Sequence, residues 1–221
     1  MKHYADFTIA RRRMVAEQLL GNGITETGVL ETMQKVPRHL FVEPALAAQA
    51  YSDTPLPIGE KQTISHPYIV AFMTEVLALQ GRETVLEIGT GSGYQAAVLS
   101  CLCRRVYTVE RHTYLAKRAR RILDEIGCSN IQLKLGDGTL GWPEMGPFDG
   151  IIVTAGAPVL PARLKEQLSL GGRLVVPVGD KQQQVLLKIT RTAEDRFEEE
   201  KFLGCRFVPL VGEEGWADGA Y

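Results

Sequence analysis

One ten-residue segment, residues 85–94, constrains the fold of this chain more than any other part of the sequence. It reads Val-Leu-Glu-Ile-Gly-Thr-Gly-Ser-Gly-Tyr, a strand-forming apolar run that meets three glycines at alternate positions. Because glycine has no Cβ and tolerates positive φ, such a turn lets the backbone approach a ligand closely. The helix expected after the turn presents unpaired N–H groups at the same place. The segment therefore predicts a strand, a nucleotide-type binding turn and a helix.

The spacing of the three glycines separates this turn from the dinucleotide-binding type. The dinucleotide fingerprint is G-x-G-x-x-G, which needs a small residue at the position that Tyr94 occupies here. In this chain the third glycine comes one residue earlier, so residues 87–93 read E-x-G-x-G-x-G. We therefore expect a nucleoside-bearing ligand, and the spacing argues against a nicotinamide-dependent oxidoreductase.

The sequence after residue 83 alternates between strand-like and helix-like segments. Strands are predicted at 84–88, 105–109, 131–135, 150–153 and 173–178, and helices at about 93–102, 113–126 and 161–168. This alternation is typical of a mostly parallel sheet with helices on both faces. Two more strand-like runs, 184–191 and 201–209, have no convincing helix between them, which predicts an antiparallel C-terminal edge. The expected fold class is therefore α/β and Rossmann-like.

The part before the sheet has a different character. Helical periodicity covers 7–20 and 26–35, an extended loop is expected over 51–65, and Pro67 suits the first turn of a helix to about residue 79. We therefore expect a single domain over 1–221. It would comprise a helical cap and substrate loop at about 1–66, a Rossmann-like core at about 67–211, and a frayed tail at 212–221.

Composition excludes several classes of protein. A formal net charge of −1 argues against a general nucleic-acid binder, which would carry a basic excess. No apolar run approaches the ~20 residues that span a bilayer, and the N-terminus has no apolar signal region, so we expect a cytoplasmic protein without a membrane partner. The four cysteines lack the paired C-x-x-C spacings of a zinc site, and no metal is expected.

Two acidic residues stand where strands of the predicted sheet end. Ligands of open parallel sheets bind at the carboxyl ends of the strands. Glu110 ends the second strand, roughly 20 positions after Gly89, where an acidic residue binds the ribose hydroxyls in dinucleotide folds. Asp137, between two glycines after the third strand, could accept a hydrogen bond from the amino group of adenine. Each alone is more typical of a solvated strand end or a turn, but together behind the glycine turn they favour a nucleoside site.

The E-x-G-x-G-x-G pattern resembles motif I of S-adenosylmethionine-dependent methyltransferases, and an upstream segment narrows the class. Gly59 followed by Gln62-Thr63-Ile64-Ser65 and Pro67 resembles the Gly-x-x-Gln-Thr-Ile-Ser-x-Pro signature of protein-L-isoaspartate (D-aspartate) O-methyltransferases. The resemblance extends over residues 10–211. Further matching segments are Val36-Pro37-Arg38, Phe41-Val42, Val109-Glu110-Arg111, Gly136-Asp137-Gly138, Phe148-Asp149, residues 151–155 and residues 206–210.

That resemblance implies a reaction and its participants. The family transfers a methyl group from S-adenosylmethionine to the free carboxylate of L-isoaspartyl residues, or to that of D-aspartyl, in damaged proteins and peptides. The ester then collapses to a succinimide, which starts repair. The expected partners are therefore isoaspartyl-containing proteins and peptides, the expected cofactor is S-adenosyl-L-methionine, with S-adenosyl-L-homocysteine as its product, and we expect a monomer.

Carried over residue by residue, the resemblance makes Ser65 the active-site residue, whose hydroxyl could orient the acceptor carboxylate. His66 is interpreted as a surface or structural residue. The cofactor would be bound by residues of the upstream segment, the glycine turn and the two acidic strand ends. These are Gln62, Thr63, Ile64, Glu87, Gly89, Thr90, Gly91, Ser92, Glu110, Arg111, Asp137 and Gly138.

Other functions remain as alternatives. A methyltransferase for a small-molecule acid would share the donor site but leaves Gln62-Thr63-Ile64-Ser65 unexplained. An amino-group methyltransferase of nucleic acids would carry an Asn/Asp-Pro-Pro-aromatic motif after the fourth strand, where this chain has Thr154-Ala155-Gly156. A non-catalytic cofactor-binding module would not need Ser65. The sequence favours the isoaspartyl enzyme over these three.

Overall fold

The computed structural model describes residues 7–219 and contains one large sheet surrounded by helices. The α-helices are α1 (Thr8–Arg13), α2 (Thr27–Lys35), α3 (Pro67–Leu77), α4 (Tyr94–Ser100), α5 (Thr113–Glu125) and α6 (Ala162–Glu166). The strands are β1 (Leu56–Gly59), β2 (Gln62–Ile64), β3 (Thr84–Ile88), β4 (Arg105–Glu110), β5 (Ile131–Leu135), β6 (Phe148–Val153), β7 (Leu168–Gly179), β8 (Gln184–Ala193) and β9 (Arg196–Cys205). A π-helical segment, Met14–Leu19, continues α1, and short 3-10 turns occupy several of the connections.

The seven-stranded sheet has the order β5-β4-β3-β6-β7-β8-β9. Strands β5, β4, β3, β6 and β7 are parallel, whereas β8 and β9 join as antiparallel hairpin partners. This arrangement confirms the Rossmann-like prediction and the antiparallel C-terminal edge. Because the chain moves outward from β3 to β5 and then returns to the other side of β3, the switch point lies between β3 and β6. Ligands bind at such a point, beyond the carboxyl ends of the strands.

The two faces of the sheet are covered unequally. On one face, Val85 of β3 and Val106 of β4 pack in a core with α3, α4, α5 and the N-terminal helices. On the other face, Leu86 and Ile88 pack with α6 and with apolar residues of the neighbouring strands. The N-terminal segment therefore enlarges the core on one face and brings the β1–β2 hairpin to the edge where the strands end.

Three strand boundaries differ from the predicted ones by four or five residues. Strand β7 begins at Leu168 rather than 173, so α6 is shortened to five residues. Strand β9 begins at Arg196 rather than 201. Its start was predicted too late because the first half of the strand is an exposed polar edge without an apolar pattern. The run 206–209 leaves the sheet and pairs with Gly156 instead, whose N–H donates to the Val208 carbonyl at 2.8 Å.

Residues 212–216 of the tail pack against the end of the sheet, whereas a frayed end was expected, and residues 220–221 lie outside the described part of the chain. The Trp216 indole Nε1 donates to the Gly156 carbonyl at 3.0 Å, and the Glu213 N–H donates to Asp137 Oδ2 at 2.8 Å. Two polar contacts far apart in sequence thus hold residues 212–216 against the end of the sheet. Within residues 7–219, no helix combines the length and apolar character needed to cross a bilayer.

Candidate active site

A cavity lies at the carboxyl ends of β3, β4 and β6, at the switch point of the sheet. Its walls are the glycine turn after β3, the β1–β2 hairpin and its continuation to Ser65, the start of α5, and the run 207–211. All of the predicted site residues except Glu87 and Asp137 line it. They are Gln62, Thr63, Ile64, Ser65, Gly89, Thr90, Gly91, Ser92, Glu110, Arg111 and Gly138.

The glycine turn adopts the backbone conformation that its composition predicts. Gly89, Gly91 and Gly93 have φ of +93°, +53° and +88°. At Gly89 the space is also restricted, because a Cβ there would lie 2.6 Å from Thr154 Oγ1. The Thr154 hydroxyl donates to the Gly89 carbonyl at 2.6 Å, which ties the turn to the end of β6. Glycine is thus required at position 89 by both conformation and packing.

Glu110 lines the cavity beside the glycine turn and also supports the turn. Its Oε2 accepts a hydrogen bond from the Gly91 N–H at 2.8 Å, and Oε1 accepts one from the His112 N–H at 2.8 Å. The side chain is only 4% exposed. Since each carboxylate oxygen can accept more than one hydrogen bond, both retain capacity for a ligand diol. The geometry is suited to the ribose role predicted for this residue.

Ser65 follows β2 and stands where the cavity meets a second, open groove. Both are lined by Thr63, Ser65 and Thr154, together with the run 207–209. The groove continues outward between the cap, the hairpin region and the end of β9, past Asn22, Tyr68, Leu203 and Arg206. A molecule in the groove therefore reaches the cavity at the Ser65 side chain.

Glu87 does not line the cavity, which corrects its predicted place in the cofactor wall. The side chain is fully buried beneath the turn, because side chains of a central strand alternate between the two covered faces of the sheet. Its Oε2 accepts from the Thr108 hydroxyl at 2.5 Å, and Thr108 in turn contacts the Thr90 hydroxyl at 2.6 Å. Burial, and secondarily the nearby Glu110 charge, raises the pKa of Glu87 to about 8. At neutral pH this carboxyl is therefore mainly protonated.

Asp137 does not line the cavity, and its predicted contact with adenine stays a prediction. Its Oδ1 accepts from the Thr139 N–H at 2.8 Å and from the Thr139 hydroxyl at 2.7 Å, while Oδ2 accepts from the Glu213 N–H. These bonds cap the 3-10 turn Gly138–Leu140 and hold the tail. The carboxylate thus serves main-chain groups, and it is Gly138 that faces the cavity.

The comparisons with known proteins agree with this geometry. The family model described as protein-L-isoaspartate(D-aspartate) O-methyltransferase matches residues 10–215. The chain belongs to this family. A protein-L-isoaspartate O-methyltransferase of Syntrophotalea carbinolica is 63% identical over 211 residues, which cover 96% of this chain and 97% of the relative.

Solved structures show the same fold. One protein-L-isoaspartate O-methyltransferase structure superposes with a TM-score of 0.82 at 29% identity, covering 92% of this chain and 67% of the other. A Plasmodium falciparum protein described as a beta-aspartate methyltransferase, solved in complex with S-adenosyl-L-homocysteine, has a TM-score of 0.79 at 24% identity. It covers 91% of this chain and 98% of that protein. The family assigned from the Gln62-Thr63-Ile64-Ser65 segment is thus confirmed.

Several residues that line the cavity were not predicted as site residues from the sequence. Thr154 could have been found, because it stands at the carboxyl end of β6 beside the switch point. The run 207–210 matches the family pattern and Val211 does not, but nothing local places these residues over the cavity. Residues of α3 and α4, all apolar except Gln95 and the Tyr94 hydroxyl, complete the wall, and their helical periodicity only indicates burial. They are Ile69, Val70, Met73, Tyr94 and Gln95.

Proposed function

We propose that this chain transfers the methyl group of S-adenosylmethionine to the free carboxylate of L-isoaspartyl residues in damaged proteins and peptides. The observation that carries the proposal is the position of Ser65, which lines both the cavity and the groove. A donor in the cavity and an extended acceptor in the groove would meet along this shared wall, where Ser65 presents a hydroxyl. Membership of the isoaspartyl methyltransferase family supports the same assignment.

The residues present fit the donor. The positive-φ glycines leave room for a ligand against the main chain, and Glu110 offers carboxylate oxygens at the end of β4. Gly89, Gly91 and Ser92 would contact the donor from the turn, while Arg111 and Gly138 would bound its nucleoside end. When bound, S-adenosylmethionine supplies a methyl group already activated by the sulfonium charge. The chain therefore needs to hold the donor and exclude water from it.

The acceptor carboxylate also needs little chemical activation by the protein. A carboxylate is ionised at neutral pH, so no strong general base is required. In this proposal the Ser65 hydroxyl donates a hydrogen bond to one carboxylate oxygen and directs the other toward the methyl group. Holding two reactants at near-attack distance can supply ~7–11 kcal/mol. Positioning is thus the main catalytic contribution of the chain.

The open groove favours a peptide over a small acid as the acceptor. A small acid would need only the space beside Ser65, whereas the groove extends to Asn22 and Arg206 at the molecular surface. D-aspartyl peptides present a related carboxylate and are a second class of acceptor. Our predictions of a monomer, of a cytoplasmic location and of no nucleic-acid partner belong to the same proposal.

A matched pair of peptides tests the function. The protein should incorporate tritiated methyl groups from S-adenosylmethionine into an isoaspartyl peptide and not into the same peptide with normal aspartate. Equal labelling of both, or labelling of a small acid alone, would contradict the proposal. In a thermal shift assay, S-adenosyl-L-homocysteine should raise the melting temperature and NAD should not, because only a ligand of the native state stabilises it.

A further inference from the structure

Arg38 is a buried cation that takes no part in the donor cavity. It begins the 3-10 turn Arg38–Phe41 after α2, and its side chain is 0% exposed. Burial lowers the pKa of Arg38 to about 10, which leaves the guanidinium charged at neutral pH. It lies in the Val36-Pro37-Arg38 segment, to which the family resemblance assigns no role.

The guanidinium binds both ends of the segment that carries Ser65. Nε donates to the Ala50 carbonyl at 2.7 Å, and Nη2 donates to the Ser65 carbonyl at 2.6 Å. The β1–β2 hairpin lies between these two carbonyls. The planar group also lies 4.8 Å from the centre of the Tyr94 ring, which limits its rotation. Arg38 therefore sets the distance between the start and the end of the acceptor segment.

The charge of Arg38 is uncompensated by an acidic side chain. In the part of the chain that the structure describes, no carboxylate forms an ion pair with Arg38, and its Nη1 has no hydrogen-bond partner. Burying an unpaired charge is costly, and a neutral donor could bind the same carbonyls at a lower cost. Through its bond to the Ser65 carbonyl, the guanidinium places a positive charge behind the residue that would hold an anionic acceptor, and this charge would favour that acceptor.

We propose that Arg38 is the positioning residue for Ser65. It holds the Ser65 main chain in the geometry that directs the hydroxyl at the acceptor, and its positive charge stabilises the bound carboxylate. The inference rests on the proposed function for its substrate, but the contacts with Ala50 and Ser65 are independent of it. Arg38 acts through Ser65 and does not itself contact the reacting atoms.

The test compares Arg38→Gln and Arg38→Lys with a matched control, Arg173→Gln. Arg173 also donates to a main-chain carbonyl, that of Ala78, and also has a buried guanidinium nitrogen without a partner, but it lies away from the cavity. For each protein we would measure kcat and KM for the isoaspartyl peptide, the Kd for S-adenosyl-L-homocysteine, and amide hydrogen exchange over residues 62–66.

Arg38→Gln should lower kcat/KM for the peptide by roughly 10- to 100-fold, with the Kd for S-adenosyl-L-homocysteine within about twofold of the wild type. Arg38→Lys keeps the charge, but its ammonium group can bind only one of the two carbonyls well. Compared with Arg38→Gln, KM should therefore return closer to its wild-type value than kcat does. Hydrogen exchange should become faster at residues 62–66 in both variants. Arg173→Gln should change none of these quantities.

A double-mutant cycle with Ser65→Ala separates positioning from general destabilisation. If Arg38 acts through Ser65, the effects of Arg38→Lys and Ser65→Ala on kcat should be less than additive. Additive effects, or equal losses of peptide turnover and donor affinity, would show that Arg38 is only structural. If Arg38→Gln does not fold, Arg38→Lys carries the same comparison.

The two proposals fail in different ways. A wild type that binds S-adenosyl-L-homocysteine but does not methylate the isoaspartyl peptide contradicts the proposed function, while faster exchange at residues 62–66 in Arg38→Lys would still support the positioning role. An active wild type whose Arg38 variants keep both peptide kinetics and hydrogen exchange unchanged contradicts the role of Arg38 alone.

Discussion

The two sides of the active site are held in place by different means. On the donor side the wall is main chain: the positive-φ glycines of the turn lie directly at the end of β3, and the Gly91 N–H is bound by Glu110. On the acceptor side the wall is a short hairpin and a loop, and the buried guanidinium of Arg38 binds the carbonyls at its two ends. The donor side depends on backbone conformation, and the acceptor side on a side chain.

Because the two sides are held differently, substitutions on the donor side and on the acceptor side should have different effects. The donor turn is continuous with the buried sheet, so a change of its backbone should affect folding and donor binding together. The strands of the acceptor segment pair only with each other, so they add no strand to the large sheet. Substitution of Ser65 or Arg38 on that side should therefore affect peptide turnover more than donor affinity.

The largest effect is expected for Gly89→Ala. The new Cβ would meet the Thr154 hydroxyl at 2.6 Å, at a residue that also has a φ of +93°. Strain and steric overlap together should lower the free energy of unfolding by roughly 2–4 kcal/mol and abolish measurable binding of S-adenosyl-L-homocysteine. Chemical denaturation and calorimetric titration measure the two effects.

Gly127→Ala is the control for this substitution. Gly127 also has positive φ, +79°, but a Cβ there would have no atom within 4 Å. Only backbone strain remains, about 1 kcal/mol, and donor affinity should not change. If the two variants lose the same stability and both bind the donor product, the donor wall does not depend on close packing at Gly89.

Ser65→Ala examines the acceptor side. Loss of a hydrogen bond to a charged group should reduce kcat for the isoaspartyl peptide by roughly 10- to 100-fold. The Kd for S-adenosyl-L-homocysteine should stay within about twofold, because the substitution removes one hydroxyl from the cavity wall and leaves the glycine turn and Glu110 unchanged. Steady-state kinetics and calorimetry on the same preparation check both. An unaltered rate would leave Ser65 with a structural role only.

Glu110→Gln tests whether one residue both supports the turn and binds the ligand. The amide can accept the Gly91 or the His112 N–H but presents an NH2 group at the second position. Donor affinity should fall by roughly 10-fold, equivalent to about 1.4 kcal/mol, with little change in KM for the peptide. Glu60→Gln, on the exposed hairpin turn, is the control. Donor affinity equal to that of the wild type would remove Glu110 from the ribose role.

The smallest effect on function concerns Glu87, whose contribution appears as a pH dependence of stability and not in donor binding. Its pKa is raised from 4.5 to about 8 in the folded protein. Below pH 4.5 the carboxyl is neutral in both the folded and the unfolded state, so its ionisation does not lower the free energy of unfolding. As pH rises from 4.5 toward 8, the unfolded chain loses this proton first, and the folded state loses stability by at most about 1.4 kcal/mol per pH unit.

Glu87→Gln cannot titrate, so its free energy of unfolding should depend less on pH over that window. Relative to the wild type, the variant should become more stable between pH 5 and pH 8, with donor affinity nearly unchanged because the side chain lies beneath the turn. Urea unfolding at several pH values measures the difference. Parallel pH profiles for the two proteins would contradict a neutral buried carboxyl.

Local sequence signals predicted the parts of this molecule that local chemistry controls. The glycines at 89, 91 and 93 predicted a close-approach turn because other residues disfavour positive φ, and all three adopt it. Strand β9 was placed five residues late because its first half is an exposed edge, where polar residues are tolerated and no alternation is required. The ordered tail was missed because its contacts join Trp216 to Gly156 and Glu213 to Asp137.

The active site likewise combines features that the local sequence predicts with features that only tertiary contacts decide. The sequence by itself determined the family, the parallel sheet and the residues that the glycine turn and the end of β4 contribute to the cavity wall, because the glycine turn and the strand ends are local features with fixed spacing. Only the tertiary structure decided what each acidic residue does. Glu87, Glu110 and Asp137 are alike in charge, yet one is buried beneath the turn, one faces the cavity, and one caps the tail. The direction of a side chain depends on what packs against it, and that is set by residues distant in the chain.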